Sequence, residues 1–154
     1  MAKSFAGNPV YRHILIPTDG TRLSQKAIRQ GLKLAKKLKA RVTGFIATPS
    51  FRFYTLDPMM SRDTPERYRI DSRKFAERAL NVVKHAAASE GVPCRTEHVI
   101  ADNAYKAIIN AAGRNHCDLI VMASHGRRGV SRFVLGSETN KVLAHSKMPV
   151  LVCR

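Results

Sequence analysis

The chain has 154 residues, 44% of them hydrophobic, and a formal net charge of +16 at pH 7 with a pI of about 10.5. That length suits one domain with a single core, and the hydrophobic content, near the globular average, argues against a disordered chain. The charge favours polyanionic partners without choosing among nucleotides, nucleic acid, acidic proteins and anionic surfaces. The basic residues are scattered rather than gathered in one run, which reads as a solvated surface and not as a nucleic-acid groove.

Cys94, Cys117 and Cys153 are far apart, and an odd count argues against a disulfide framework. They read as buried or half-buried reduced thiols. The six histidines show no HxxxH or HExxH spacing, so no dedicated metal site is expected. No segment approaches the roughly 18–20 apolar residues of a membrane span, and Met1 to His13 lacks the apolar stretch of a secretory signal. The expectation is a cytoplasmic protein without a membrane partner.

Residues 1–10 read as a loose polar lead-in and residues 11–154 as one domain. Ile14, Leu15 and Ile16 form a continuous apolar run, as in a strand covered on both faces. Pro17 stops it, and Thr18, Asp19 and Gly20 supply turn and N-cap chemistry, with Asp19 the candidate cap. A helix follows to Leu38, with Ala27, Ile28, Gly31, Leu34, Ala35 and Leu38 on one side and five basic residues on the other. The second strand runs from Arg41 to Ala47.

Thr48 to Asp63 is the least regular stretch, with two prolines, three aromatics and two methionines. It reads either as a lid or as an aromatic plug over the core. Thr64-Pro65-Glu66 has the order of an N-cap, a proline at the first helical position and a first-turn acid, and Gly91 ends that long helix. The third strand is Cys94 to Ile100, and Asp102 is the expected cap of the next helix. Asp118 to Ala123 reads as the fourth strand. Ser137, a second N-cap candidate, opens a helix ending near His145. Val150 to Cys153 is the fifth strand.

Alternating apolar strands and amphipathic helices predict an α/β doubly wound, Rossmann-like domain. Its five-stranded parallel sheet has order 3-2-1-4-5 and helices on both faces. Ligands of such sheets bind beyond the carboxyl ends of the strands, where the winding reverses between strands one and four. Two turn-rich strand ends meet there, Pro17-Thr18-Asp19 and Ala123 to Gly126. A glycine loop followed by a helix N-terminus is a physically reasonable anion site.

These residues resemble the universal stress protein family, in the branch that binds ATP or AMP. The resemblance rests on HILIPTDG, DLIVMASHG, the Gly136-Ser137 helix start and the closing KMPVLVCR. The family motif is Gly-x-x-Gly, nine residues, then Gly followed by Ser or Thr. Here it reads Ala123-Ser124-His125-Gly126, nine residues, then Gly136-Ser137, with alanine in place of the first glycine. The added methyl group matters most if φ at Ala123 must be positive.

The resemblance implies that Pro17, Thr18 and Asp19 line the adenosine end, with Asp19 near the ribose or a nucleotide-bound Mg ion. It implies that the backbone around Ile46 faces adenine, that Met122 and Ala123 lie against adenosine and that Gly126 lies against the phosphates. Gly136, Ser137, Glu138 and Thr139 would hold phosphates, provided that the Glu138 side chain points away from them. It also implies a homodimer through Met148 to Cys153.

Catalysis has little support, because GxxxxGK[ST] and GxSxG are both absent and no base stands placed to activate water. The sequence therefore reads as an adenine-nucleotide-binding stress or regulatory protein. The alternatives are a nucleotide-independent scaffold of the same fold, a nucleic-acid binder and a slow ATPase.

Overall fold

The first strand, β1 (His13–Pro17), is buried along its whole length at the centre of a computed structural model that describes residues 10–56, 63–125 and 135–154. After it come α1 (Arg22–Leu38), β2 (Arg41–Thr48), α2 (Phe51–Tyr54), α3 (Pro65–Glu90), β3 (Cys94–Ile100), α4 (Ala104–Arg114), β4 (Leu119–Ala123), α5 (Ser137–His145) and β5 (Val150–Cys153). All strand pairs are parallel, in the order β3-β2-β1-β4-β5. The doubly wound sheet expected from the sequence is the one observed.

Side-chain parity along β1 divides the core. Ile14 and Ile16 pack with Ala27, Ile28, Leu32 and Ala35 of α1 and Val83 of α3. Leu15, one residue out of phase, packs with Ala107, Ile108 and Ala111 of α4 and Val142 of α5. Successive strand residues point to opposite faces, so a strand buried on both sides must be apolar at every position. That is why HILI lacks the polar alternation of a half-exposed strand.

The helix ends follow local chemistry with three departures from the sequence reading. Thr64 caps α3 by accepting from the Arg67 N–H, and Gly91 closes it at φ 66°, as expected. The N-cap of α1 is Thr21, which accepts from the Ser24 N–H; it is not Asp19. Asp19 instead accepts from the Thr21 N–H and hydroxyl, at 3.0 and 2.7 Å, and so positions the residue that caps. Asp102 does not cap α4. Its carboxylate accepts from the Ser50 N–H at 2.7 Å and the Ser50 hydroxyl at 3.0 Å, which joins the turns after β2 and β3. Ser137 is the first residue of α5, and Gly136 holds the cap position.

The stretch after β2, irregular in sequence, contains a short helix, α2. Phe51 and Tyr54 of α2 pack on Tyr68 of α3 with ring centroids 5.7 and 4.3 Å apart, and the Tyr68 hydroxyl donates to the Pro49 carbonyl. In these described residues the aromatics act as a plug against α3. Met59 and Met60 lie outside the described residues.

Two glycines set how closely helices approach the sheet. A Cβ on Gly31 of α1 would sit 2.7 Å from the Ile16 Cδ1, and one on Gly44 of β2 would sit 2.8 Å from the Val83 Cγ1. Interiors this dense transmit even one added methyl group. Gly44→Ala is expected to cost about 1–3 kcal/mol in denaturant unfolding, with part of the loss restored by Val83→Ala in the same chain.

Candidate functional site

The turn after β1 and the turn after β4 stand side by side, because Ile14 and Leu15 pair with Leu119 and Ile120. From β1 the chain leaves for α1 on one face, and β4 is followed by α5 on the other. A crevice opens at the carboxyl ends of two neighbouring strands that diverge in this way.

On the β1 side Pro17 is buried and paired in register with Phe45. The Thr18 N–H donates to the Phe45 carbonyl at 2.8 Å, and its hydroxyl meets the Ser24 hydroxyl at 3.0 Å. Gly20 makes the sharp turn at φ 81°, with its N–H donating to the Thr18 hydroxyl. A cavity of about 320 Å³ lies beside this turn, lined in part by Thr18, Gln25, Phe75 and Arg78.

β2 runs three residues past the point where β1 stops, since Pro17 opposes Phe45 and β2 ends at Thr48. The Phe45 carbonyl points to β1, where it meets Thr18, and the Thr48 carbonyl points to β3, where it accepts from Ala101. Peptide directions alternate along a strand. The Ile46 peptide therefore faces β3, and the Ala47 peptide faces the overhang above β1. The Ile46 side chain is buried against Ala76, Ala79 and Leu80 of α3.

On the β4 side Met122 and Ala123 are both buried and paired with Val152 and Cys153 of β5. Among the described residues only Lys39 and His116 combine a side chain with positive φ, so the Ala123 backbone does not require glycine. The Ser124 carbonyl accepts from the Gly136 N–H at 2.7 Å. Thr139 is 3% exposed, and its hydroxyl donates to the Ala123 carbonyl at 3.0 Å. These two bonds tether the start of α5 to the end of β4. They also commit the Gly136 amide and the Thr139 hydroxyl proton to the fold. Gly126, Arg127, Arg128 and Arg132 lie outside the described residues.

Gly136 has no side chain with which to cap α5, so the Ser137, Glu138 and Thr139 amides begin the helix without a side-chain acceptor. Such a terminus attracts an anion through its N–H groups and the positive end of the helix dipole. Ser137 is exposed there and adds a hydroxyl.

Glu138 is kept from opposing that anion by its partners. Its Oε2 accepts from the Tyr105 N–H at 2.9 Å and its Oε1 from the Lys141 ammonium at 2.9 Å. The carboxylate thus serves the first turn of α4, where the Asn103 cap makes no side-chain bond. Sequence spacing could not reveal this, because the bond spans 33 positions.

Among the described residues no cluster of three His, Cys, Asp or Glu side chains could hold a metal. Burial, and then the Asp118 carboxylate, push the Cys117 thiol up to about 12, and burial also raises Cys94 and Cys153. All three thiols therefore stay protonated near neutral pH and make poor nucleophiles. The His125 Nδ1 meets the Ser124 hydroxyl at 3.0 Å, which orients the ring beside the crevice.

If Glu138 points away from the anion as placed, Glu138→Ala should cost about 1 kcal/mol of stability through the lost α4 cap. It should leave affinity for an anionic ligand within about twofold. A rise of tenfold or more, read by calorimetric titration beside denaturant unfolding, would mean that the carboxylate faces the phosphates.

The model of the universal stress protein family matches residues 10–154. A universal stress protein of Methanocaldococcus jannaschii is 31% identical over 153 residues, which cover 96% of this chain and 85% of that protein. The crystal structure of a universal stress protein family member from Burkholderia pseudomallei shares the fold with a TM-score of 0.75 at 22% identity, covering 96% and 98% of the two chains. The universal stress protein of Archaeoglobus fulgidus, solved in complex with dAMP, has a TM-score of 0.64 at 16% identity, covering 94% and 99%. Similar folds are solved with cAMP, and with AMP in a family protein of Arabidopsis thaliana, with TM-scores of 0.65 and 0.63 at 19% and 15% identity. These cover 94% and 92% of this chain, and 97% and 90% of theirs. A match of this extent, joined to the observed sheet order, makes the chain a member of the universal stress protein family.

Proposed function

We propose that the chain binds an adenine nucleotide, ATP or AMP, in the crevice between β1 and β4, and works as a homodimeric regulatory protein. The observation that carries this reading is the uncapped N-terminus of α5, tethered by Gly136 to Ser124 and standing beside the β1 turn. The family members solved with AMP, cAMP and dAMP support the ligand class.

Phosphates would lie on the Ser137, Glu138 and Thr139 amides, the Ser137 hydroxyl and the loop that includes Gly126. Pro17, Thr18, Asp19, Met122 and Ala123 would border the adenosine. Backbone parity supports Ala47, the neighbour of Ile46, as the β2 residue that offers its N–H and C=O to the base. Asp19 is the residue suited to a nucleotide-bound Mg ion. Its Oδ1 already accepts from the Thr21 N–H and hydroxyl.

The dimer reading rests on β5. It is an edge strand, and Leu151 on it is 43% exposed, as an unpartnered apolar edge would be. Sedimentation equilibrium of the full chain should give twice the monomer mass. Leu151→Lys should shift it toward the monomer.

Calorimetric titration with ATP, AMP and GTP tests the ligand. Saturable heat with an adenine nucleotide is expected. Gly136→Val should weaken it at least tenfold, because a branched side chain would crowd the space before the α5 amides. No heat with either adenine nucleotide at millimolar concentration would leave a nucleotide-independent scaffold as the better reading.

A further inference from the structure

The opposite end of the sheet carries a second concavity. A cavity of about 430 Å³ lies where β1, β2 and β4 begin, lined by Arg12, His13, Lys39, Arg41, Pro93, His116 and Asp118. The concavity is open to solvent and larger than one phosphate group. We propose that this pocket is a second anion site, separate from the crevice at the carboxyl ends, and that it binds a multiply charged phosphate of the diphosphate or triphosphate class.

Charge is the first support. Arg12, Lys39 and Arg41 are exposed cations in the wall, and His116 is exposed beside them. Lys39 and Arg41 form no ion pair among the described residues, whereas Lys36 is paired with Glu90 at 3.0 Å. The one acid in the wall is Asp118. Its two carboxylate oxygens accept from the Arg12 and His13 amides at 2.8 and 3.0 Å, so it serves the backbone of β1.

Backbone strain is the second and independent support. Three helices close with the same turn: Ala40, Val92 and Cys117 donate to the carbonyls of Ala35, Ala87 and Ala112. In each case the preceding residue is left-handed, at φ 54° for Lys39, 66° for Gly91 and 52° for His116. Glycine is the unstrained occupant of that position, and α3 uses it. The other two positions, both in the pocket wall, hold a lysine and a histidine, although each side chain strains its own backbone there. Strain retained at two separate turns that face one cavity marks a function for those side chains.

His13 is the buried member of the wall, only 6% exposed. Its Nε2 meets the Thr43 hydroxyl at 2.8 Å, and the ring also faces the Asn115 backbone. Burial, and then the Arg41 charge, hold this ring below its ordinary value of 6.5, so it stands neutral near pH 7 and adds no charge of its own to the wall.

Inorganic tripolyphosphate is the probe, added to the full chain while the histidine ring resonances are followed by NMR. Saturable shifts of the His13 and His116 rings are expected. Lys39→Gly should raise the melting temperature, because glycine relieves the strain, and should weaken tripolyphosphate about tenfold, the loss of one charge-assisted contact. Arg41→Gln should weaken it similarly, and Gly136→Val should leave it unchanged. Ring shifts that stay linear with concentration would overturn the proposal, as would Lys39→Gly and Arg41→Gln variants that bind like the parent. Binding abolished by Gly136→Val alone would assign the anion to the crevice at the other end, and would overturn it too.

Discussion

Two neighbouring parallel strands whose following helices lie on opposite faces constrain the rest of this protein. β1 feeds α1 and β4 feeds α5, and right-handed crossovers leave those helices no common side. The space between the two strand ends stays uncovered for that reason alone. Its donors are then supplied by the backbone: the first amides of α5 on one wall, and the overhanging Ala47 peptide of β2 on the other. Neither depends on a particular side chain being charged.

The tethers at this point show what the motif residues do for the fold before any ligand arrives. Gly136 gives its amide to Ser124, and Thr139 gives its hydroxyl proton to Ala123. Both bonds pull α5 onto the end of β4, and they fix the helix axis relative to the crevice. Gly136 sits at φ −58°, which any residue adopts, so its value lies in the missing side chain and not in a special backbone angle. The same reasoning makes Ala123 acceptable where the family motif has glycine, since it continues a buried strand and pairs with Cys153.

The fold was legible wherever a residue's role is local. Buried strands read as apolar runs, and Thr64-Pro65-Glu66 and Gly91 mark the ends of α3 with the residues that the termini require. The site was legible in the motif spacing and in the topology that brings two distant turns together. It was illegible where a polar side chain had several possible partners. Asp19 and Asp102 both have the composition of an N-cap, yet each binds a hydroxyl-bearing residue instead, one two positions away and the other 52. Glu138 reads in sequence as a repulsive neighbour for phosphate, because its bond to the Tyr105 amide joins helices 33 positions apart. The choice between Ile46 and Ala47 turns on strand register, and a shift of one residue reverses every peptide direction.

The two ends of the sheet would recognise anions by different physics. At the carboxyl end the donors are helix amides, and a glycine motif encodes them within fifteen residues. At the amino end they are side chains from three turns, at positions 12, 39–41 and 116, that only the parallel sheet brings together. No local motif could announce such a pocket, and the left-handed lysine and histidine are its clearest trace. β1 separates the two ends by five residues, about 16 Å at 3.3 Å each. That exceeds the Debye length of about 8 Å at physiological salt, so repulsion through solvent between two bound anions would be weak. The interior screens less than water does, and the shared strand is buried throughout. Any coupling between the ends would therefore run through β1, from His13 to Pro17, and the +16 charge of the chain would offset the anions at both.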